Sequence, residues 1–191
     1  MKTLKWMVCL GIPLLLTGCL TVDNIKTTID IQDEKKPAVV TIRYEGFSSG
    51  EAKGEDVKKD FDYLIEEWKG DEYLLDRAEE GMVVRDRQLM IEGHEINGVM
   101  TGLVQDLDDL YDIWEQNGER ILMVEFDADD FELTETNGSL IKTEKNRLIV
   151  WPAETKHMQW TMKRISKSES IEKNKPIMLK MFKEYLKENP Q

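Results

Sequence analysis

Hydrophobic and polar positions change rhythm several times along the chain. Ile25, Ile29 and Ile31, then Val40, Ile42 and Tyr44, fall at even spacings on either side of a polar turn around Asp33 to Pro37. That is the pattern of two strands, each burying one face, joined as a hairpin. The composition of residues 47–54 (FSSGEAKG) predicts a flexible loop. Val57, Phe61, Leu64, Ile65 and Trp68 then recur at helical spacing, and Gly70 stands where a C-terminal cap belongs. This predicts an amphipathic helix of about four turns. A shorter helix follows over 71–80, with Tyr73, Leu74 and Ala78 toward the core and Gly81 as its stop. Residues 82–91 and 96–104 are β-like around Glu92-Gly93-His94-Glu95, a second hairpin. Gly98 and Gly102 in its return strand mark a bend or a place where a helix lies close.

Further on, Asp106 can cap a short helix carrying Leu107, Leu110, Tyr111 and Trp114 and ending at Asn117-Gly118. Segments 121–126 and 131–136 read as strands. Asn137-Gly138, between alternating segments, predicts a two-residue hairpin. Residues 148–151 are strand-like up to Pro152, and Met158, Trp160 and Met162 alternate again. The segment 166–173 (SKSESIEK) predicts a polar linker. Pro176 suits the first turn of a last helix over 174–188, whose stripe is Ile177, Met178, Met181, Phe182, Tyr185 and Leu186. Together these give an α+β protein, its antiparallel sheet of roughly eight strands built from hairpins, with about four helices. The last helix is C-terminal and amphipathic, and is expected to dock on the main domain without being needed to fold it.

The first residues follow a different rule. Lys2 and Lys5 precede an uncharged run from Trp6 to Leu16, the layout of a secretory signal. As a helix it reaches about 16 Å, against about 30 Å for a hydrocarbon core, so it is too short to span. Its end, Leu16-Thr17-Gly18-Cys19, resembles the lipobox of bacterial lipoproteins. The resemblance implies cleavage before Cys19, a diacylglyceryl group on its sulfur, and often an acyl chain such as palmitate on the freed amino group. Two or three acyl chains, at about 0.8 kcal/mol per buried methylene, hold a protein stably at a membrane. The chain then divides into a signal peptide (1–18), a lipidated tether (19–24), the α+β domain (25–165), a linker (166–173) and the final helix (174–188). Leu20, not aspartate, follows Cys19. By the same resemblance this directs the protein to the periplasmic face of the outer membrane in a two-membrane cell, and otherwise to the plasma membrane.

Composition narrows the chemistry. The chain carries 38 acidic and 26 basic residues, a net charge of −12, which becomes −14 once Lys2 and Lys5 leave with the leader. Residues 139–191 hold 12 basic and 6 acidic residues, a net of +6, whereas residues 19–138 hold 12 and 32, a net of −20. So acidic a body argues against nucleic acid as a partner, and its basic end could dock on it. The two cysteines are Cys9, in the leader, and Cys19, at the lipid site. Thiol nucleophiles, disulfides and thiolate metal sites are thereby excluded from the mature domain. Phosphate-binding glycine patterns, a nucleophile elbow and a zinc-protease motif are missing. His94 and His157, the only histidines, cannot make a multi-histidine metal site. Asp127, Asp129 and Asp130 are weak calcium candidates; they break the EF-hand pattern at its third ligand, and a solvated connection between strands explains them better. No cofactor and no catalytic residue is indicated.

What remains is a candidate partner surface of Trp151, Met178, Met181, Phe182 and Tyr185. The expectation is a lipid-anchored cell-envelope component, not an enzyme, bound to the membrane through Cys19 and to an envelope protein partner. The alternative is a module holding a small apolar ligand or lipid between sheet and helices, suggested by Met158, Met162, Met178 and Met181. A roomy apolar pocket at that interface would favour the ligand; a filled core with an exposed apolar patch would favour the protein partner.

Overall fold

The computed structural model describes residues 20–33, 36–124, 130–143, 146–166 and 168–190. In chain order the elements are β1 (Leu20–Thr21), β2 (Asn24–Asp30), β3 (Ala38–Glu45), β4 (Ser48–Ser49), α1 (Gly54–Lys69), α2 (Asp71–Glu79), β5 (Met82–Glu92), β6 (Glu95–Val104), α3 (Leu107–Leu110), β7 (Ile113–Gln116), β8 (Glu119–Val124), β9 (Phe131–Thr136), β10 (Ser139–Lys142), β11 (Arg147–Pro152), β12 (His157–Arg164) and α4 (Glu169–Glu188). The protein is α+β, with antiparallel strands and a C-terminal helix. The strands are shared among three sheets: six in the order β5-β6-β3-β2-β12-β9, four in the order β10-β11-β8-β7, and the pair β1-β4.

The period-2 pattern explains the large sheet. Residues of β2 and β3 alternate without a slip, which puts Ile25, Ile29, Val40, Ile42 and Tyr44 on one buried face. Met100 and Val104 of β6 and Met158 and Trp160 of β12 are cross-strand partners on that face and are equally buried. The opposite face carries the paired Thr28, Thr41 and Thr101, half-exposed, with the Thr41 and Thr101 hydroxyls 3.2 Å apart.

Two different layers cover the buried face. Over β3 and β6 lie α1 and α4. Trp68 of α1 meets Tyr44 and Phe47 edge-on, each at 5.7 Å, and sits directly on Gly98. A Cβ at Gly98 would stand 2.5 Å from Trp68 Cη2, so this glycine exists to let a helix lie close. Over β12 lies the four-stranded sheet. Trp160 is packed by Tyr111 at 5.3 Å, edge-on, and by Trp151 at 6.3 Å. Each such fully buried large side chain contributes about 1.5–3 kcal/mol, and one core cluster runs through both layers.

Several expectations need correction. The helix after Asp106 lasts one turn, capped by Asp106 accepting from the Asp108 amide; Tyr111 is already extended (φ −133°, ψ 151°). Ile113 and Trp114 therefore belong to a strand, β7. Asn117-Gly118, read as a helix stop, is the two-residue hairpin turn between β7 and β8, with φ of +54° and +78°. Asn137-Gly138, read as a hairpin, is instead the crossing from the six-stranded to the four-stranded sheet, and neither residue has positive φ. Gly138 is there because a Cβ would be 2.7 Å from the Trp151 indole. In α2 the inward residue after Tyr73 is Arg77, not Ala78, which is exposed.

The 47–54 segment also departs from a flexible loop. Ser48 and Ser49 are fully buried and paired with β1, and Ser49 Oγ donates to Asp60 Oδ2 at 2.5 Å. α4 begins at Glu169, inside the expected linker, so Pro176 lies within the helix. Its buried side starts a turn and a half early, with Ile171 and Asn174, and continues through Met178, Leu179 and Phe182. Asn174 Nδ2 donates to the carbonyls of Ser49 and Glu51 at 2.9 and 2.7 Å. The expected tether is partly structured as well: Leu20 is in β1, and Val22 is fully buried.

Candidate interaction surface

In a strand, adjacent residues point to opposite faces. The consecutive Leu140 and Ile141 of β10 therefore cannot share one core. Their partners are Ile149 and Leu148 of β11, yet all four residues of β10 are exposed, Leu140 at 38% and Ile141 at 49%. β10 ends its sheet and pairs only with β11, so its second edge has no strand neighbour among the described residues. The start of β10 is nevertheless firmly placed. Asn137 Oδ1 accepts from Trp151 Nε1 at 2.8 Å and from the Gln159 amide at 2.9 Å, and its Nδ2 donates to the His157 carbonyl at 2.9 Å. A rigid root thus presents an unpaired, apolar strand edge.

The residues singled out in the sequence are dispersed. Trp151 is 2% exposed, and Met178 and Phe182 are buried beneath α4; Met181 and Tyr185 are half-buried at its margin, with Lys69 Nζ 4.9 Å above the Tyr185 ring. This set therefore packs the chain's own core rather than presenting a face. Cys19, Asp127 and Asp129 lie outside the described residues. Asp130 is exposed, and its carbonyl accepts from the Ile165 amide at 2.7 Å. His94 is exposed in the β5–β6 turn, and His157 Nδ1 is 2.7 Å from Asp30 Oδ1 across the β12–β2 pair. No group of three or more histidines, cysteines and carboxylates able to hold a metal occurs among the described residues. Nor is any described helix long and apolar enough to cross a membrane.

Two surface clefts accompany these features. One of about 440 Å³ opens where α1 and α4 meet β5, and Lys69, Arg87 and Gln88 make up half of its lining. Its Arg87 guanidinium is engaged in closing the end of α1, donating to the Gly70 and Lys69 carbonyls at 2.9 Å each. Partial burial lowers the Arg87 pKa from its ordinary value. The second, of about 370 Å³, lies between the β2–β3 turn and α3, and half of its lining is charged, including Asp33, Lys36, Asp106 and Arg120. Met158, Met162, Met178 and Met181 line neither. Met158 and Met178 are fully buried and packed.

Sequence reasoning missed β10 because Asn137-Gly138 was read as a hairpin turn, which left no reason to look for an exposed strand at 139–142. The adjacent pair Leu140-Ile141 was the contrary sign. In comparisons with known proteins, no family model and no curated protein matches the chain.

Proposed function

We propose that this is a lipid-anchored, non-catalytic component of the cell envelope that works by binding a protein partner, and that β10 is the strand it offers. The partner adds an extended segment to the free edge, main-chain hydrogen bonds supplying affinity and Leu140 and Ile141 the apolar contacts. One observation carries this reading: Met158 and Met178 are buried and none of the four methionines lines either cleft, while the apolar side chains of β10 stand exposed on an unpaired edge. The lipobox supplies the location.

The test is photocrosslinking in intact envelopes from a probe at position 141, with position 75 as control, since Leu75 is 65% exposed but helical. A discrete adduct is expected from 141 only, and Leu140→Lys with Ile141→Lys should abolish binding without lowering the melting temperature. Identical adducts from both positions would refute the assignment of β10. Separately, Cys19→Ala should abolish fatty-acid labelling.

A further inference from the structure

We propose that the domain has no free tether, and that the end of the molecule formed by β1, the 50–53 segment, Ile165–Ser166 and the first turns of α1 and α4 rests on the lipid headgroups. The inference builds on lipidation at Cys19, but its content is the orientation of the folded domain.

The chain is locked from its first described residue. Leu20 pairs with Ser49 and Thr21 with Ser48, while Leu20 is 3% exposed. Asp23 then binds Arg164 at 2.6 Å and Lys175 at 2.5 Å, and Arg164 Nε donates to the Val22 carbonyl at 3.1 Å. These contacts tie the N-terminal strand to β12 and α4 at once. Nothing between residues 20 and 24 can pay out as slack without breaking them.

Cys19 is bonded directly to Leu20, and successive Cα atoms are about 3.8 Å apart. A headgroup layer is roughly 5–7 Å deep on each side of the hydrocarbon core. Acyl chains on Cys19 therefore bring the surface around Leu20 into contact with headgroups. That surface can be named. Ser170 Oγ donates to the Gly50 carbonyl at 2.8 Å, and Asn174 bonds the Glu51 carbonyl, so the starts of α1 and α4 lie side by side next to β4. The two helices run parallel away from it, since at the other end Lys69 lies over the Tyr185 ring and Trp68 and Phe182 line one cleft. Their lengths are about 24 and 30 Å. Ile165, 48% exposed and one residue from the Arg164 that grips Val22, is the large apolar side chain exposed at this end. A bilayer is the occupant because it is where the anchoring residue's lipid must lie.

The test uses the fact that the mature chain has no cysteine besides Cys19. Ile165→Cys and Lys53→Cys mark the near end, and Lys187→Cys, about 27 Å along α4, the far end. Each acylated protein carries a fluorophore at its new cysteine and is reconstituted in phosphatidylcholine vesicles containing headgroup spin-labelled lipid. Quenching at 165 and 53 should exceed that at 187 several-fold. A ten-residue Gly-Ser insert between Cys19 and Leu20, spanning about 18 Å on average, should bring the near-end values toward the far-end one while labelling and melting stay unchanged. Equal quenching at all three sites in labelled, vesicle-bound protein overturns the orientation alone. Near-end quenching that survives the insert also overturns it. Protein that takes no fatty acid and does not bind vesicles overturns both the orientation and the anchor on which it rests.

Discussion

Two buried residues decide how well the core tolerates change. Gly98→Ala places a methyl group into the Trp68 ring, which Tyr44 and Phe47 hold from two other directions. Overpacking of this kind costs about 1–3 kcal/mol, and a clear fall in melting temperature is expected. Arg77 is fully buried beneath α2, 5.2 Å from the Tyr73 ring, with Nη1 2.8 Å from Glu80 Oε2, while its Nε has no acceptor. Partial burial already raises the Glu80 pKa, with Arg77 opposing that shift. Arg77→Met strands the carboxylate, and breaking a buried pair costs about 3–5 kcal/mol, here toward the lower end because Glu80 keeps some solvent. A carboxyl whose native pKa lies above its unfolded one binds more protons when folded, so stability falls as pH rises through that interval. The deficit of Arg77→Met relative to the parent should therefore be larger at pH 7 than at pH 4 in thermal melts. Glu80→Gln on top of it should recover part of the loss. A deficit independent of pH would show that Glu80 is not the group left stranded.

At the scale of elements, α4 belongs to the structure that folds. Ile171, Met178, Leu179 and Phe182 bury against the sheet, and Asn174 satisfies two backbone carbonyls. Truncation after Ile165 is expected to abolish cooperative melting, and Asn174→Ala to cost about 1–3 kcal/mol by orphaning buried carbonyls; a truncated domain that melts normally would contradict this. The hairpins of β2–β3 and β5–β6 and the helix α1 were legible in the sequence, because period-2 and period-3.6 patterns are local. Which sheet a strand joins is not local. Two Asn-Gly pairs look alike in sequence; Asn117-Gly118 bends the backbone, whereas Asn137-Gly138 clears room for an indole from residue 151. Leu107, Leu110, Tyr111 and Trp114 fit a helical stripe, but tertiary pairing with β8 pulls the second half into a strand. The candidate site was missed for the same reason: β10 owes its exposure to which sheet it entered. The leader's reading rests on residues 1–19 alone, which lie outside the described residues.

For the molecule as a whole, alkali is the predicted weakness. Burial pushes the phenols of Tyr44, Tyr73 and Tyr111 up from their ordinary value, Arg77 opposing the shift in each. Lys175 is also shifted upward, since Asp23 and Glu172 together outweigh its desolvation. An unfolded tyrosine gives up its proton near pH 10 while these native ones hold theirs. Above that pH the native state binds more protons than the unfolded one, so stability declines as pH rises. The Lys175 contribution is complete below about pH 10.4 and fades above it, in the same direction. Tyrosinate absorbance from these rings should appear together with cooperative loss of near-ultraviolet circular dichroism; smooth ionisation in an intact fold would contradict the burial. Finally, β2 lies between β3 and β12, residues 24–30 pairing with 157–163. Its hairpin with β3 can close early, but its other edge must wait while more than a hundred further residues are made, on the order of 10 s at ordinary ribosome speeds. Until residues 157–163 emerge, one edge of β2 stands open in the middle of the six-stranded sheet.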